Sequence, residues 1–440
     1  MTASRRQEVP AALKRGLSVG LLTVAVMVVA VASAQSRPPA RLALGCRSDN
    51  AGLTLPAGFC AGVFADSLGG PRHMAVAPNG DVFVVRQSRL PADSLKGGVV
   101  GMRDTDKDGQ ADMLVSFGPV GGTGIAVDGA FLYVDARTAI LRYPLPVGML
   151  APTDAPDTIV KGLPTGGHAA RNFVLDGKGS MYVNIGSRTN SCQEQDRQNA
   201  SKGVDPCVEL ETRAGIWKFS ATRIGQQFSA AERFATGIRN AVGMTWNSAE
   251  NVLYATAHGR DQLLQNWAPL YDEVKSATQP AEALMRVSQG DDYGWPYCYF
   301  DTDLKRLVLA PEYGGDAKTA GRCKSMKNPL VAFPGHWAPN GVAFYTGGTF
   351  PARFRSGAFI AFHGSWNRAP QEQAGYKVVF VPSRSGRFGG AYETFADGFA
   401  NGKLNPSTAE HRPTGLAITP DGALLISDDK GGRIYRVQAG

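Results

Sequence analysis

The sequence contains no Cys-x-x-Cys and no Cys-x-x-Cys-His, which removes covalent haem and zinc-ribbon readings. It has no Walker loop, no Gly-x-Gly-x-x-Gly dinucleotide fingerprint, no Gly-x-Ser-x-Gly elbow and no His-Glu-x-x-His helix. Charge is sparse, at 19% of residues, and the net of +8 is spread along the chain without a Lys/Arg run or an interleaved aromatic stripe. A nucleic-acid partner is therefore not expected. Helical apolar stripes are few, while 53 glycines and 27 prolines mark a chain of short strands and turns.

Long apolar stretches are confined to one place. Arg5, Arg6, Lys14 and Arg15 precede an uncharged apolar run from Leu17 to Ala32, and Ala32-Ser33-Ala34 has the small-x-small form of a cleavage site. The run is shorter than the ~20 residues a spanning helix needs. The expectation is a cleaved signal peptide over 1–34, no membrane span after cleavage, and export. Residues 35–55 read as a linker and 56–440 as one domain. Six cysteines follow the leader, and an even count in an exported chain favours disulfides. Sequence neighbours suggest Cys46–Cys60, Cys192–Cys207 and Cys298–Cys323, among 15 possible pairings. Leu44-Gly45-Cys46 resembles a lipidation site but lies too far beyond the apolar run.

One pattern recurs: a polar or Gly-rich lead-in, an alternating apolar strand, a tight turn and a second apolar strand. The copies are PRHMAVAPNGDVFVV, GTGIAVDGAFLYVDA, RNFVLDGKGSMYVNI, AVGMTWNSAENVLYATA, NGVAFYTGGTFPARFRSGAFIAF and TGLAITPDGALLISD. Third strands follow in each copy and fourth strands in five. GFCAGVFAD, near residue 60, supplies the sixth. Six four-stranded units predict an all-β, six-bladed β-propeller whose last blade is completed by the first strand of the domain. Such closure removes free sheet edges.

In this fold the lead-in to strand 1 and the loop leaving strand 2 share one end. The lead-ins hold His73, His168, Arg171, Arg239, Asn240, His336, His411 and Arg412. The exit loops hold Arg86, Gln87, Arg137, Arg188, His258, Arg260, Asp261, His363, Trp366, Asn367, Arg368, Asp428, Asp429 and Lys430. All six histidines therefore fall on one face, joined there by the long loops 187–213 and 259–282. Several arginines beside neutral imidazoles suit a planar, multiply anionic ligand and a general base near neutral pH. The expected site is the mouth of the channel on this face.

The strings GGHAARNFVLDGKGSMYVNIGS, TGIRNAVGM, GDDYGWPYCYFD, FPGHWAPNGVAF, FHGSWNR and HRPTGLAI resemble the soluble quinoprotein sugar dehydrogenases. This group includes sorbosone dehydrogenase-like proteins, fungal pyranose dehydrogenases and soluble glucose dehydrogenase. The resemblance runs from about residue 56 to the C-terminus and implies pyrroloquinoline quinone (PQQ) and Ca²⁺ over the channel. It implies oxidation of a sugar, an aldose or an osone such as sorbosone, at the anomeric carbon or aldehyde. Electrons would pass to an external carrier, a cytochrome or a quinone, in the periplasm or the medium. By motif, His168 is similar to the family's general base, Arg239 to the residue that stabilises charge at the quinone carbonyl, and Asn240 to its neighbour on the same edge. Arg171, His363, Trp366, Asn367, Arg368, Arg412 and Lys430 are the implied cofactor contacts. Gly259, Arg260 and Asp261 align with a calcium-binding segment, although Arg260 replaces a family proline. YGWPYCY reads as blade packing.

A second metal signal is independent of the resemblance. Asp104, Asp106, Asp108 and Asp112 alternate around Gly109 like the start of a Ca²⁺ loop, but Val115 stands where an EF-hand has its closing Glu. Two other functions remain open on sequence grounds. A Ca²⁺-dependent lactonase would need Asp, Glu and Asn around the channel. A non-catalytic binding propeller would tolerate loss of His168 and Arg239.

Overall fold

The computed structural model describes residues 45–87, 98–118, 121–384 and 386–440. The expected leader and residues 35–44 lie outside them. Six antiparallel four-stranded blades follow one another around a channel. Blade 1 is Pro71–Val76, Val82–Arg86, Val99–Arg103 and Met113–Phe117. Blade 2 is Ile125–Asp128, Phe131–Asp135, Ala139–Pro144 and Asp157–Lys161. Blade 3 is Phe173–Leu175, Ser180–Ile185, Gly215–Ser220 and Arg233–Thr236. Blade 4 is Met244–Asn247, Val252–Ala257, Glu282–Val287 and Val331–Phe333. Blade 5 is Pro339–Phe344, Gly357–Phe362, Lys377–Arg384 and Glu393–Ala396. Blade 6 is Pro413–Ile418, Leu424–Asp428 and Arg433–Ala439, and its outer strand is Phe59–Ala65. That strand pairs antiparallel with Arg433–Ala439, Phe59 opposite Ala439, so the ring closes as the sequence predicts.

Each middle strand has both faces covered by neighbouring blades, which explains its near-continuous apolar text. In blade 1, Val82 and Val84 pack on Leu425 and Ile434 of blade 6. The alternate residues Phe83 and Val85 pack on Leu132 and Val134 of blade 2. The period of two thus divides one strand between two interfaces. A buried apolar cluster fills every one of the six blade junctions. Near the axis the inner strands come too close for side chains. A Cβ at Gly415 would stand 2.5 Å from the carbonyl oxygen of Arg72 in the next blade.

All three neighbour-paired disulfides are present, so Cys46 is bonded to Cys60 and is not a free lipidation thiol. Thr54, in the expected linker, bridges to Asp397 beside blade 5. The long exit loops include two short helices, Leu263–Trp267 and Glu273–Thr278. A third insertion, residues 288–330, holds the hairpin Cys298–Asp301 and Arg306–Leu309 and returns beside these helices. Among the described residues no helix is long and apolar enough to cross a membrane.

Candidate active site at the channel mouth

The Gly237-Ile238-Arg239-Asn240 segment leaves the outer strand of blade 3 and leads into blade 4. It buries the Arg239 side chain, and a buried guanidinium has to place its donors on acceptors. Nε donates to Asn190 O at 3.1 Å and Nη1 to Gly259 O at 2.7 Å. Nη2 donates to Asn190 Oδ1 at 3.1 Å and Asp261 Oδ2 at 2.9 Å. Asp261 is the hub of this end of the mouth. Its Oδ2 also accepts from Arg197 at 3.0 Å, its Oδ1 accepts from Asn367 Nδ2 at 2.9 Å, and His336 Nδ1 lies 3.6 Å from Oδ1. Burial alone would raise the Asp261 pKa, but the charge of Arg239, the His336 contact and Arg197 hold the carboxyl well below its usual range.

His168 stands on the neighbouring lead-in. Its Nδ1 lies 3.0 Å from Ser187 O and 2.9 Å from Ser187 Oγ. The Ser187 hydroxyl proton is spent on Thr189 O at 2.7 Å, so both Ser187 oxygens act as acceptors toward the ring. Nδ1 must therefore carry the proton, and Nε2 presents a lone pair. Burial, reinforced by the positive charge of Arg239, pushes the imidazole down to about 3 and keeps it neutral. The ring depends on a glycine behind it. A Cβ at Gly186 would lie 2.7 Å from the Cβ of His168. Asn240 belongs to the same cluster: its Oδ1 accepts from Asn184 Nδ2 at 3.2 Å, and its carbonyl accepts from His258 N at 3.1 Å.

The remaining sequence candidates divide into several groups. Arg171 is buried and donates through Nη1 and Nη2 to the carbonyls of Arg137 and Pro164. Arg412 donates to His363 O at 2.9 Å and Gly364 O at 2.5 Å and lies over the Tyr376 ring. His363 Nε2 meets Asp429 Oδ1 at 2.7 Å, and Asp429 also pairs with Arg72. Trp366 is 67% exposed, and Lys430 is an exposed residue on the adjacent blade. Arg368 ties its own loop to Ala277 O and Glu372 O. Arg260 turns inward to an ion pair with buried Glu312, leaving Asp261 as the Gly259–Asp261 side chain that faces Arg239.

Asp104, Asp106 and Asp108 form the one group of three acidic or metal-ligating side chains among the described residues with ligand atoms within 4.8 Å of one another. They follow the third strand of blade 1, at the end opposite the mouth. Asp112 turns to Thr105 instead.

Three contributors were not legible as site residues. Asn190 bonds Arg239 twice and also receives Asp261 N at 2.8 Å. Trp295, within YGWPYCY, packs on the Cys192–Cys207 region and donates its indole N–H to Asn190 O at 3.0 Å. Buried Glu282 accepts from Gly259 N at 3.2 Å and His336 N at 2.8 Å, and burial lifts it to about 7. Behind Arg239, a cavity of about 80 Å³ bordered by His258, Gly259 and Trp295 has room for a few waters.

The family model described as TrAA12-like matches residues 53–440. An uncharacterized protein of Borreliella burgdorferi is 30% identical over 61% of this chain and 60% of its own length. The pyrroloquinoline quinone-dependent pyranose dehydrogenase of Coprinopsis cinerea is 25% identical over 46% of this chain and 30% of its own length. The chain thus spans less than two thirds of either relative. Among solved structures, the holo form of the pyranose dehydrogenase PQQ domain from Coprinopsis cinerea superposes with a TM-score of 0.69 at 21% identity, covering 88% of this chain and 97% of that one. The calcium structure of Trichoderma reesei Carbohydrate-Active Enzymes Family AA12 gives 0.71 at 18% identity over the same shares. At these identities the superpositions establish the fold.

Proposed function

Since the chain belongs to the TrAA12-like family, we propose that it is a PQQ-dependent oxidoreductase that oxidises a sugar, an aldose or an osone, at its anomeric carbon or aldehyde. The observation that carries this reading is the His168 tautomer: a neutral imidazole with Nδ1 committed and Nε2 open, beside a buried arginine.

The residues of the mouth fit a planar, anionic cofactor. Among the described residues, Arg72 Nε, Arg171 Nε, His258 Nε2 and Asn340 Oδ1 are buried there without a hydrogen-bond partner. Native interiors leave few such atoms, so a cluster of them marks where a ligand's polar groups belong. Arg171 and Arg412 would hold carboxylates from the inner ends of the blades. His363, Asn367, Arg368, Lys430 and the exposed Trp366 would line the same side. PQQ, when bound, accepts the hydride equivalent removed from the sugar. His168 Nε2 takes the proton of the sugar hydroxyl. Arg239 offers fixed positive charge where negative charge develops, and Asn240 orients the same edge. The Ser187 bonds hold the His168 ring in its acceptor tautomer throughout.

Ca²⁺ belongs to the proposed cofactor set. At Gly259 the carbonyl is already bonded by Arg239, and both Asp261 oxygens are engaged by Arg239, Arg197 and Asn367. A calcium ion there would have to displace these bonds. The Asp104–Asp108 carboxylates are the proposed second, structural position. Electrons would leave to a separate cytochrome or quinone, in the periplasm or outside the cell.

The test is titration of the purified protein with PQQ, with and without Ca²⁺, followed by aldose-driven dye reduction. Calcium-dependent binding with sugar-dependent turnover is the expected result. Absence of PQQ binding, together with no turnover of any aldose or osone, overturns the proposal.

A further inference from the structure

Two arginines at the mouth are left over when the site has been assembled. Arg137 and Arg188 leave the second strands of blades 2 and 3, so they are neighbours around the ring. Both are exposed, and among the described residues neither guanidinium is paired with a carboxylate. The nearby acids are spent on backbone instead. Glu209 accepts from Arg188 N at 2.6 Å, from Thr189 N at 3.2 Å and from the Thr189 hydroxyl. Buried Asp135 accepts from Arg137 N at 2.8 Å and Thr123 N at 3.0 Å. Each carboxylate thus fixes the loop that carries an arginine through backbone N–H groups and, among the described residues, forms no salt bridge with that arginine's guanidinium.

Arg188 is also adjacent to the proposed base. Ser187, its chain neighbour, holds both the backbone N–H of His168, at 2.9 Å, and the imidazole. A Cβ on Gly167 would collide with Arg188 Cα. A third arginine, Arg213, clamps the His168 lead-in by donating to the carbonyls of Thr165 and Gly166. The Cys192–Cys207 disulfide lies within the loop that joins Arg188 to Arg213. The free guanidinium is therefore mounted on the same anchored loop pair that fixes the base.

We infer that this chain takes an anionic sugar, an aldose with a carboxylate or phosphate at the end opposite its anomeric carbon, and that Arg188, with Arg137, recognises that anion. The inference rests on the proposed sugar oxidation. A guanidinium offers paired donors matched to carboxylate and phosphate oxygens. Arg188 follows Ser187, the residue that holds the His168 ring, so with the anomeric hydroxyl at His168 Nε2 the inference seats the far end of the sugar on this arginine. The reaction leaves the anion unchanged. C1–H departs as hydride to the quinone oxidant, the O1 proton goes to His168 Nε2, and the hemiacetal carbon becomes a lactone carbonyl.

The test uses the full chain reconstituted with PQQ and Ca²⁺. It compares kcat/KM for D-glucuronate and D-galacturonate, for glucose 6-phosphate, and for D-glucose and D-galactose. A preference of about tenfold or more for an anionic sugar over its neutral parent is expected, declining as salt is raised. The anionic-to-neutral ratio should fall toward one in Arg188→Gln and be partly retained in Arg188→Lys. Preference for uronates alone assigns the carboxylate, and preference for the phosphate alone assigns the phosphate. A ratio of one in the unaltered protein, or a ratio unchanged in Arg188→Gln, overturns the inference while sugar oxidation stands. If no sugar is turned over, calorimetry decides the anion site by itself. Glucuronate or glucose 6-phosphate binding weakened about tenfold in Arg188→Gln sustains it. Lack of binding by both overturns it.

Discussion

Arg239 Nη2 and Asp261 Oδ2 meet at 2.9 Å, an ion pair with both side chains largely withdrawn from solvent. The pair joins the crossover from blade 3 to blade 4, which carries Arg239, to the loop leaving the second strand of blade 4, which carries Asp261. Asn190 joins it from the blade 3 loop through bonds to both partners. The orientation of the guanidinium is thus set by two other chain segments, and the Asp261 carboxylate is the ionic partner it bonds directly.

Asp261→Asn keeps the shape and removes the charge. Leaving Arg239 buried without its counter-charge should cost about 3 kcal/mol of stability. The expected outcome is a lower melting temperature together with reduced kcat, read by thermal unfolding and dye reduction on the same preparation. An unchanged melting temperature would mean that the bonds to Asn190 and Gly259 hold buried Arg239 without the carboxylate charge.

His168→Gln retains a hydrogen-bonding side chain but offers no basic nitrogen. Turnover should drop by about a hundredfold or more, with PQQ binding retained. In the unaltered protein the His168 pKa near 3 predicts that loss of its neutral form does not appear in the kcat/KM profile above pH 5. A limb near 6.5 that disappears in His168→Gln would contradict the buried, neutral assignment.

Much of this architecture was readable because propeller blades repeat. Val82–Arg86 announces a middle strand by continuous apolar residues, and the PNGD and DGKG turns announce hairpins. The neighbouring cysteines paired as their spacing suggested. Side-chain direction was not readable. Arg260 and Asp261 are adjacent, yet one turns inward to Glu312 and the other to Arg239. That choice depends on Glu312, which arrives with the insertion at 288–330, 52 residues farther along the chain. The same insertion brings Trp295 to Asn190, a contact 105 residues apart that no local pattern encodes. Asn190 itself sits in an ordinary polar loop and becomes a site residue only through this long-range assembly.

Removing one disulfide should separate loop order from the propeller core. The Cys192–Cys207 bridge spans a separation of 15 residues, for which loop closure contributes about 3 kcal/mol. Cys192→Ser with Cys207→Ser should lower the melting temperature and weaken turnover, because Asn190 and Ser187 belong to the same exit loop. Amide exchange should rise in residues 187–213 while the inner strands of the blades stay protected. Equal protection in that loop with and without the bridge would assign its rigidity to Trp295 and Glu209 instead.

Acid should destabilise the fold before carboxylates titrate generally. Burial holds His73 and His168 at about 3, and His258 and His363 at about 4. An unfolded histidine titrates at about 6.5. As pH falls below that value the unfolded chain takes up four protons that the folded chain refuses, so stability present at neutral pH is lost toward pH 4. Two buried carboxyls act in the opposite sense. Burial raises Glu282 to about 7 and Asp135 to about 6, so near pH 5 the folded chain holds two protons that the unfolded chain has released. The balance is an uptake of about two protons on unfolding near pH 5, a slope of about 2.7 kcal/mol per pH unit. Denaturant melts at closely spaced pH values between 4.5 and 6 should give a positive slope of stability with pH. Glu282→Gln removes one opposing group and should steepen that slope. A flat or negative slope would place the histidines in contact with solvent and would remove the physical basis for a permanently neutral His168.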